Sequence, residues 1–578
     1  MTGGSGERSL RLLDRLMATS ALATLATLLV RYGLGVGAEY DRWIALADAA
    51  LVLLFAAAQA AKLTVVPDPR AYLRSHRLDF ALLFVLVLQL AAYAGLRSTG
   101  EFRWLERHGA PNPLWPILVA SVQVYMVAIV ALRSTAVTRL LVRLRLRPVQ
   151  ILVVSFALLI AAGTALLAMP GSAASGTASP VVDALFTATS AVCVTGLVVW
   201  DTGTHFSGLG LVVLLLLIQA GGLGMLTITG SFALFGGEGI ERREADAIAR
   251  AMQVDSVHEV GLVLRRIVLA TGLFEGIGAA WLFAAWRGAL PDTLERAGWS
   301  VFHAVSAFCN AGFALFPANA SLTGAAGSGA TLAGIGALIV AGGIGFGVLD
   351  EFVKRLLARV LKRPVPPFSE HARWTLAATA FLLVSGTVLF FWTEREGILR
   401  ALPAGEAWAH AAFQSVSLRT AGFNSVDLAA IGVPAIVLCI AWMLVGGAPG
   451  GTAGGMKATT AAVLVAAPFR RFRADPTITR RAAILAALFL GQYVAVAVAL
   501  ALSQGAFDGR LAFEAASALG TVGLSMGATA EMGTAGKLVL CVAMFAGRVG
   551  PFALAASVLP RIEHAHGPAG DPGRVQVG

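Results

Sequence analysis

The stretch Val194-Thr195-Gly196-Leu197 carries no ionisable group, yet its residue types can do chemistry. Glycine reaches backbone angles closed to other residues, so it can aim its neighbours' carbonyl oxygens in one direction. A ring of such carbonyls replaces the hydration shell of a monovalent cation without a fixed anion. A single copy means little in a chain with 64 glycines. Three more copies change the reading: Asn310-Ala311-Gly312-Phe313, Thr420-Ala421-Gly422-Phe423 and Thr521-Val522-Gly523-Leu524. Their glycines are 116, 110 and 101 residues apart, a spacing that marks a fourfold internal repeat.

Each copy comes with its surroundings. Ten residues before the glycine stand Phe186, Phe302 and Phe513, and six before it Ser190, Ser306 and Ser517. The third copy has Ala412 and Val416 at those places, with Phe413 beside the first. The run ahead of each glycine is helix-compatible but too short and too polar to cross a bilayer alone. A long apolar run lies before and after it. Each repeat is therefore read as span, half-helix, short extended segment, span. A half-helix that ends inside the membrane leaves its last carbonyls without intrahelical partners and carries partial negative charge there. Irregular backbone at that depth survives only where it lines a cavity or is packed in protein.

The elements that must hold these segments follow from composition. Of 578 residues 57% are hydrophobic and 13% charged, and the mean hydropathy is +0.77. A soluble domain is about a quarter charged, so the chain is an integral membrane protein. Candidate spans fall near 16–34, 43–62, 79–96, 114–132, 149–168, 208–234, 260–286, 330–349, 374–393, 430–445, 481–503 and 535–560. The first is too long for the apolar part of a signal peptide and is read as retained. Most Lys and Arg then collect on one side, densest over Arg133–Arg147, Arg242–Arg266, Lys354–Arg373 and Arg470–Arg481. By the positive-inside rule that side and both termini are cytoplasmic. The same rule accounts for the net charge of +11 without nucleic acid. Cys193, Cys309, Cys439 and Cys541 are too scattered for a zinc site, a haem site or a disulfide framework.

A second constellation lies in the span after each glycine. Quasi-equivalent positions hold Gly222, Gly343, Gly447 and Arg548. A charge at that depth is costly and marks a functional site by default; a side chain snorkelling to the cytoplasmic face is the other reading of Arg548. The third repeat supplies a partner. Residues 446–460, GGAPGGTAGGMKATT, contain Gly446, Gly447, Pro449, Gly450, Gly451, Thr452, Ala453, Gly454 and Gly455, a composition that disfavours continuous helix. Its freed carbonyls can accept hydrogen bonds from Arg548, which makes loop and arginine a candidate gate. Lys457 either belongs to that barrier or is a positive-inside residue. Glu275, inside a span, suits structural hydrogen bonding more than ion binding. Asp183, Asp201, Asp427 and Glu514 are placed near the outer mouths, either attracting cations or as solvated loop charges.

Residues 1–148 hold about four further spans. Arg133, Arg139, Arg143 and Arg145 gather at one end of the last rather than along it, which suits a structural four-helix region, voltage-sensor-like at most. The remaining boundaries are repeat 1 at 149–250, repeat 2 at 251–365, repeat 3 at 366–475, and repeat 4 with a cytoplasmic tail at 476–578. Paired carboxylates, HExxH and Walker A patterns are missing, so an enzyme is not expected. A secondary transporter with alternating access is disfavoured, because such proteins pair broken helices at the midplane whereas these repeats run parallel.

Over residues 149–562 the chain resembles the TrkH/KtrB potassium-uptake family of the Trk/Ktr/HKT superfamily. The resemblance rests on SAVCVTGLVVWDTG, LLIQAGGLGMLTI, SAFCNAGF, FQSVSLRTAGFNSVD, GGAPGGTAGGMKATT, GTVGLS and GRVGP, in family order. It implies an all-α polytopic fold of four M1–pore helix–M2 repeats around one pore in the cell membrane, and a homodimer. It also implies a cytosolic TrkA/KtrA-type regulatory ring that carries the nucleotide, ATP/ADP or NAD. Potassium is then the transported ion at the four glycine segments, and no organic cofactor is expected in the chain itself. In the superfamily a serine at the first filter position goes with sodium transport, so Gly196 favours potassium. A sodium-permeable or non-selective transporter of the same fold is the alternative.

Overall fold

The computed structural model describes residues 148–235, 257–323, 328–365, 367–467 and 476–550, with 38–66 and scattered positions between 10 and 34 and at 72. The chain divides into two compact units, 1–144 and 145–578. In the first, α1 is Ala38–Val65. The spans expected near 79–96 and 114–132 and the basic segment 133–147 lie outside the described residues, as does the tail after 550.

The second unit is helical, with only isolated bridges among the described residues. Its order is α2 (Pro148–Leu167), α3 (Val181–Val192), α4 (Gly208–Phe235), α5 (Val257–Ala285), α6 (Thr293–Phe308), α7 (Gly329–Gly343), α8 (Phe346–Val360), α9 (Glu370–Glu394), α10 (Ala404–Ser417), α11 (Val433–Met443), α12 (Ala458–Ala466), α13 (Pro476–Gln504), α14 (Gly509–Gly520) and α15 (Thr534–Val549). A shorter helix follows each of α2, α5, α9 and α13. These short helices, α3, α6, α10 and α14, have 12, 16, 14 and 12 residues. At about 1.5 Å per residue none reaches across a hydrocarbon layer of about 30 Å. Side-chain caps start two of them: Asp292 accepts from Glu295 N at 2.7 Å and Asp508 from Leu511 N at 2.9 Å.

Stretches of α5, α9 and α13 are long and apolar enough to cross a membrane. They leave Leu269, Ile277, Phe381, Val384, Val494 and Val498 exposed, as lipid-facing helices do. Their inner faces pack on the short helices. The packing is cyclic: α4 lies on α6, α7 on α10, α11 on α14, and α15 returns to α3. Buried phenylalanines anchor each short helix: Phe186, Phe302, Phe413 and Phe513.

Two long elements are broken. The break in the third repeat falls where Gly and Pro accumulate: α11 stops at Met443 and α12 starts at Ala458. The other corrects the expectation of one continuous span over 330–349. The chain bends by 112° between α7 and α8, at Ile344-Gly345. Gly345 takes φ +88°, an angle only glycine adopts at little cost. The helix that follows carries Lys354, Arg355 and Arg359 and would not continue into hydrocarbon. It is tied instead to the start of α9. Ser369 donates to Glu351 from its N–H at 3.1 Å and its hydroxyl at 2.6 Å, and the Arg355 guanidinium lies 3.2 Å from the Phe368 ring centre.

Candidate functional site

The four glycine segments share one backbone solution. Two residues before each glycine the chain is left-handed, at Val194, Asn310, Thr420 and Thr521, with φ 55°, 59°, 68° and 50°. The glycines follow with φ 94°, 72°, 75° and 90°. A left-handed non-glycine residue costs roughly 1–2 kcal/mol, so four in register mark a conformation the surroundings enforce.

The segments touch in a closed cycle. An added Cβ on Gly196 would stand 2.5 Å from the Ala311 carbonyl oxygen, on Gly312 2.8 Å from that of Ala421, and on Gly422 2.8 Å from that of Val522. On Gly523 it would fall on the carbonyl oxygen of Thr195, which completes the ring. The four glycines also line a cavity of about 230 Å³, shared with Asn319, Ser321, Asn424, Asp427 and Ser525. Leu197, Phe313, Phe423 and Leu524, just past the glycines, are buried in the hydrophobic core.

A serine at the end of each short helix brackets its segment. Ser190 O and Oγ hold Thr195 N at 2.8 Å and Gly196 N at 3.1 Å. Ser517 does the same for Val522 and Gly523, at 2.7 and 3.0 Å. Ser306 O accepts from Ala311 N at 2.7 Å while its hydroxyl donates to Phe313 O at 2.8 Å. In the third copy Ser417 O accepts from Ala421 N at 3.0 Å and its hydroxyl donates to Phe423 O. Sequence counting placed Ala412 and Val416 there. The helix residues of the third copy, Phe413 and Ser417, instead sit one place nearer their glycine. The hydroxyls of Thr195, Thr420 and Thr521 are buried without a hydrogen-bond partner.

Three of the four outer carboxylates, Glu514, Asp183 and Asp201, are engaged by partners within the protein. Glu514 is fully buried and accepts from Ser525 Oγ at 2.6 Å, Met526 N at 3.0 Å and Thr529 Oγ1 at 2.7 Å. Asp183 pairs with Lys537 at 2.5 Å. Asp201 accepts from Gly203 N at 3.1 Å and from the backbone of Ala318 and Asn319, tying the outer loops of the first two repeats. Asp427 alone of the four lines the cavity. A charge in the sequence gives no sign of its partner, and buried or paired carboxylates result wherever donors converge. Glu275 accepts from Gln219 Nε2 at 3.4 Å, beside Cys309. The four cysteines are free and buried.

Under the ring the loop 444–457 is held from several sides. Gly446 N donates to Met456 O at 2.7 Å, closing the loop on itself. Ala448 N and Thr452 N donate to Gly343 O and Gly342 O at 2.9 and 3.2 Å, and Gly450 O accepts from Phe346 N at 3.0 Å. The carbonyls freed at the α7–α8 bend are thus satisfied by the loop, and the loop by the bend. Thr452 Oγ1 donates to Phe308 O at 3.2 Å, and Lys457 Nζ to Ala453 O at 2.9 Å. Arg548, 2% exposed, donates to Thr452 O and, at 2.7 Å, to Gly221 O. The second acceptor is one sequence reasoning missed; its only signal was the neighbouring quasi-equivalent Gly222. A Cβ on Gly454 would fall on Thr521 Oγ1, so the loop reaches the innermost residues of the ring. Pro449, Gly451 and Gly455 belong to the same loop, and Gly447 contacts the Gly343 carbonyl.

Comparison with known proteins places this architecture. Residues 120–565 match the family model TrkH, described as a cation transport protein. The chain is 35% identical over 423 residues to the Ktr system potassium uptake protein B of Vibrio alginolyticus, covering 70% of this chain and 90% of that protein. It is 35% identical over 448 residues to the potassium/sodium uptake protein NtpJ of Enterococcus hirae, covering 73% and 95%. The crystal structure of the potassium transporter TrkH from Vibrio parahaemolyticus shares the fold, with TM-score 0.52 and 18% identity over 96% of this chain and 98% of that one. With its apolar helices and these relatives, the chain is a membrane protein and belongs to the TrkH/KtrB family of cation transport proteins, which are ion transporters and not enzymes.

Proposed function

We propose that the chain is a channel-like potassium uptake subunit. Backbone carbonyls of residues 194–197, 310–313, 420–423 and 521–524 select the ion, and the loop 446–457 with Arg548 gates it. The observation that carries this reading is the closed cycle of glycine and carbonyl contacts. A dehydrated monovalent cation needs oxygens on all sides, and this is the place where four strands of backbone supply them. The relatives named for potassium uptake support the ion, as does glycine at all four positions. The gate reading rests on charge and position. Arg548 is buried and joins the loop carbonyl of Thr452 to Gly221 O of α4, and a fixed cation at that depth repels another in a low-dielectric space.

The repeats bounded at 250, 365 and 475 act as four quadrants of one pore, and the region 1–148 as a structural addition. Both termini lie in the cytoplasm, and the protein works as a homodimer with a TrkA/KtrA-type ring that holds any nucleotide. The naming of its Ktr-system relatives supports such a partner. The basic cytoplasmic segments, of which 257–266, 354–365, 367–373 and 476–481 are described, give that ring a docking face. A sodium-permeable variant is the second reading, favoured by the potassium/sodium name of the Enterococcus hirae relative. Purified protein in vesicles, assayed with ⁸⁶Rb⁺ and ²²Na⁺, decides between them. Rubidium uptake well above sodium uptake is expected. Equal uptake selects the second reading, and uptake of neither ion rejects both.

A further inference from the structure

The short helices α6 and α14 carry, nine residues before their glycines, His303 and Glu514. Both side chains are fully buried, and both reach over the glycine to the backbone N–H three residues beyond it. His303 Nε2 accepts from Leu315 N at 3.2 Å, and Glu514 Oε1 from Met526 N at 3.0 Å. The acceptor role of Nε2 puts the ring proton on Nδ1, which donates to Trp299 O at 2.8 Å. Glu514 is fixed by the hydroxyls of Ser525 and Thr529. Two unrelated side chains thus make the same bond at the same repeat position.

The other two quadrants do not. In the third, where the one-residue shift puts Gln414 at this position, its buried amide has no hydrogen-bond partner, and Ser425 is met only through its side chain, by His410 at 2.9 Å. In the first, Thr187 stands at the position of His303 and Glu514, and its hydroxyl turns back to Asp183 O at 2.9 Å in its own helix. Because each second span packs on the next short helix in cyclic order, quadrants 2 and 4 face each other across the axis.

Resting on the potassium reading above, we propose that His303 and Glu514 are positioning residues. They form a diagonal pair of struts that fixes the outer ends of two opposite carbonyl segments and so sets the ring's width. A ring sized for potassium discriminates only while its oxygens cannot close in on a smaller ion, and a buried strut in a low-dielectric interior resists that closure. The struts touch backbone beyond the ring and no ion.

The test uses the full chain in vesicles and compares ⁸⁶Rb⁺ with ²²Na⁺ uptake. His303→Leu and Glu514→Leu are each expected to lower the Rb⁺/Na⁺ ratio by about tenfold, as a buried N–H loses its partner, mostly through a rise in Na⁺ uptake. Glu514→Gln keeps the acceptor and is expected to keep the ratio. Thr187→Val, the matching change in the first, unstrutted quadrant, is expected to leave it unchanged. Where a leucine variant does not fold, Glu514→Asp and His303→Asn replace it, since each is too short to reach its N–H. Unchanged ratios in short-chain variants that carry Rb⁺ normally overturn the proposal. So does an equal fall of both ions, the mark of simple destabilisation. A parent with no preference for Rb⁺ overturns the potassium reading and the struts with it.

Discussion

The segments around Gly196, Gly312, Gly422 and Gly523 share the same signs of φ, a serine carbonyl that accepts from the N–H just before the glycine, and the same neighbour contacts. The spans beneath them share none of this. Helix α4 continues through Gly222, α7 turns at Gly345, α11 gives way to a loop at Met443, and α15 carries Arg548. The contrast separates two physical problems. On the proposed reading a ring of carbonyls has no function with three quarters of its members, which accounts for one backbone geometry in all four segments. A barrier needs only one obstruction, so the inner half is free to differ. The differing parts are also interdependent: the loop's N–H groups pair with carbonyls freed by the bend in α7, and its Thr452 carbonyl with Arg548. A buried polar network of this kind is stable only when every member is satisfied.

The largest effect should come from breaking the repeated half. Gly523→Ala places a Cβ on the Thr195 carbonyl oxygen at φ +90°, and Gly196→Ser meets the Ala311 oxygen at φ +94°. Left-handed strain of about 1–2 kcal/mol adds to overpacking of about 1–3 kcal/mol. The expected outcome is a fall of about 30-fold or more in the Rb⁺/Na⁺ uptake ratio, at one tenfold step per 1.4 kcal/mol. A ratio equal to the parent's in either variant would show that the ring tolerates asymmetry after all.

The inner half should respond in the opposite direction. Arg548→Ala removes both the fixed charge and the bond to Thr452 O, so uptake should rise, by about tenfold for the loss of a charged hydrogen bond. Deleting Gly450–Gly454 should raise it as well. Because both act through one contact, the double change should exceed either single change only slightly. Gains that multiply would mean two separate barriers. No gain at all with Arg548→Ala, at normal expression, would make that arginine a structural pin.

What the sequence discloses follows the same division. The glycines, three of the four serines and the Gly-Pro loop are visible because each is a composition signal at a countable spacing. The shift of Phe413 and Ser417 is not, since a one-residue deletion between the helix end at Ser417 and Gly422 leaves no mark on hydropathy. The bend at Gly345 is hidden because an apolar window over 330–349 averages across it. Asp183 and Glu514 show a charge but not the partners that bury it, and Lys537 stands 354 residues from Asp183.

The bend gives a smaller effect than the arginine. A Cβ at Gly345 would sit 2.6 Å from Pro449 O at φ +88°. Gly345→Ala should therefore push the loop from its seat while leaving Arg548 in place, raising uptake about threefold, a share of the strain at one left-handed residue. Measured together with Arg548→Ala, it should add little. A loss of uptake instead would mean that the bend supports the ring and not the loop.

The smallest effect should come from the bond that joins first and last repeats. Asp183 lies in the first turn of α3 and Lys537 in α15, with side chains 17% and 16% exposed. The pair closes the cycle at its outer edge, where α15 packs on α3. It touches neither the glycine ring nor the loop, so it should matter for stability and not for selection. Asp183→Asn keeps the shape but removes the charge that favours both Lys537 and the helix N-terminus. The pair is partly screened, so the loss should be about 1 kcal/mol, seen as a melting temperature lower by about 1–3 °C. Lys537→Met should match it, and the double variant should fall no further than either alone. The Rb⁺/Na⁺ ratio should stay at the parent's value in all three. A changed ratio would show that closure of the cycle at its rim sets the geometry of the ring, and would extend the repeated half outward to include this ion pair.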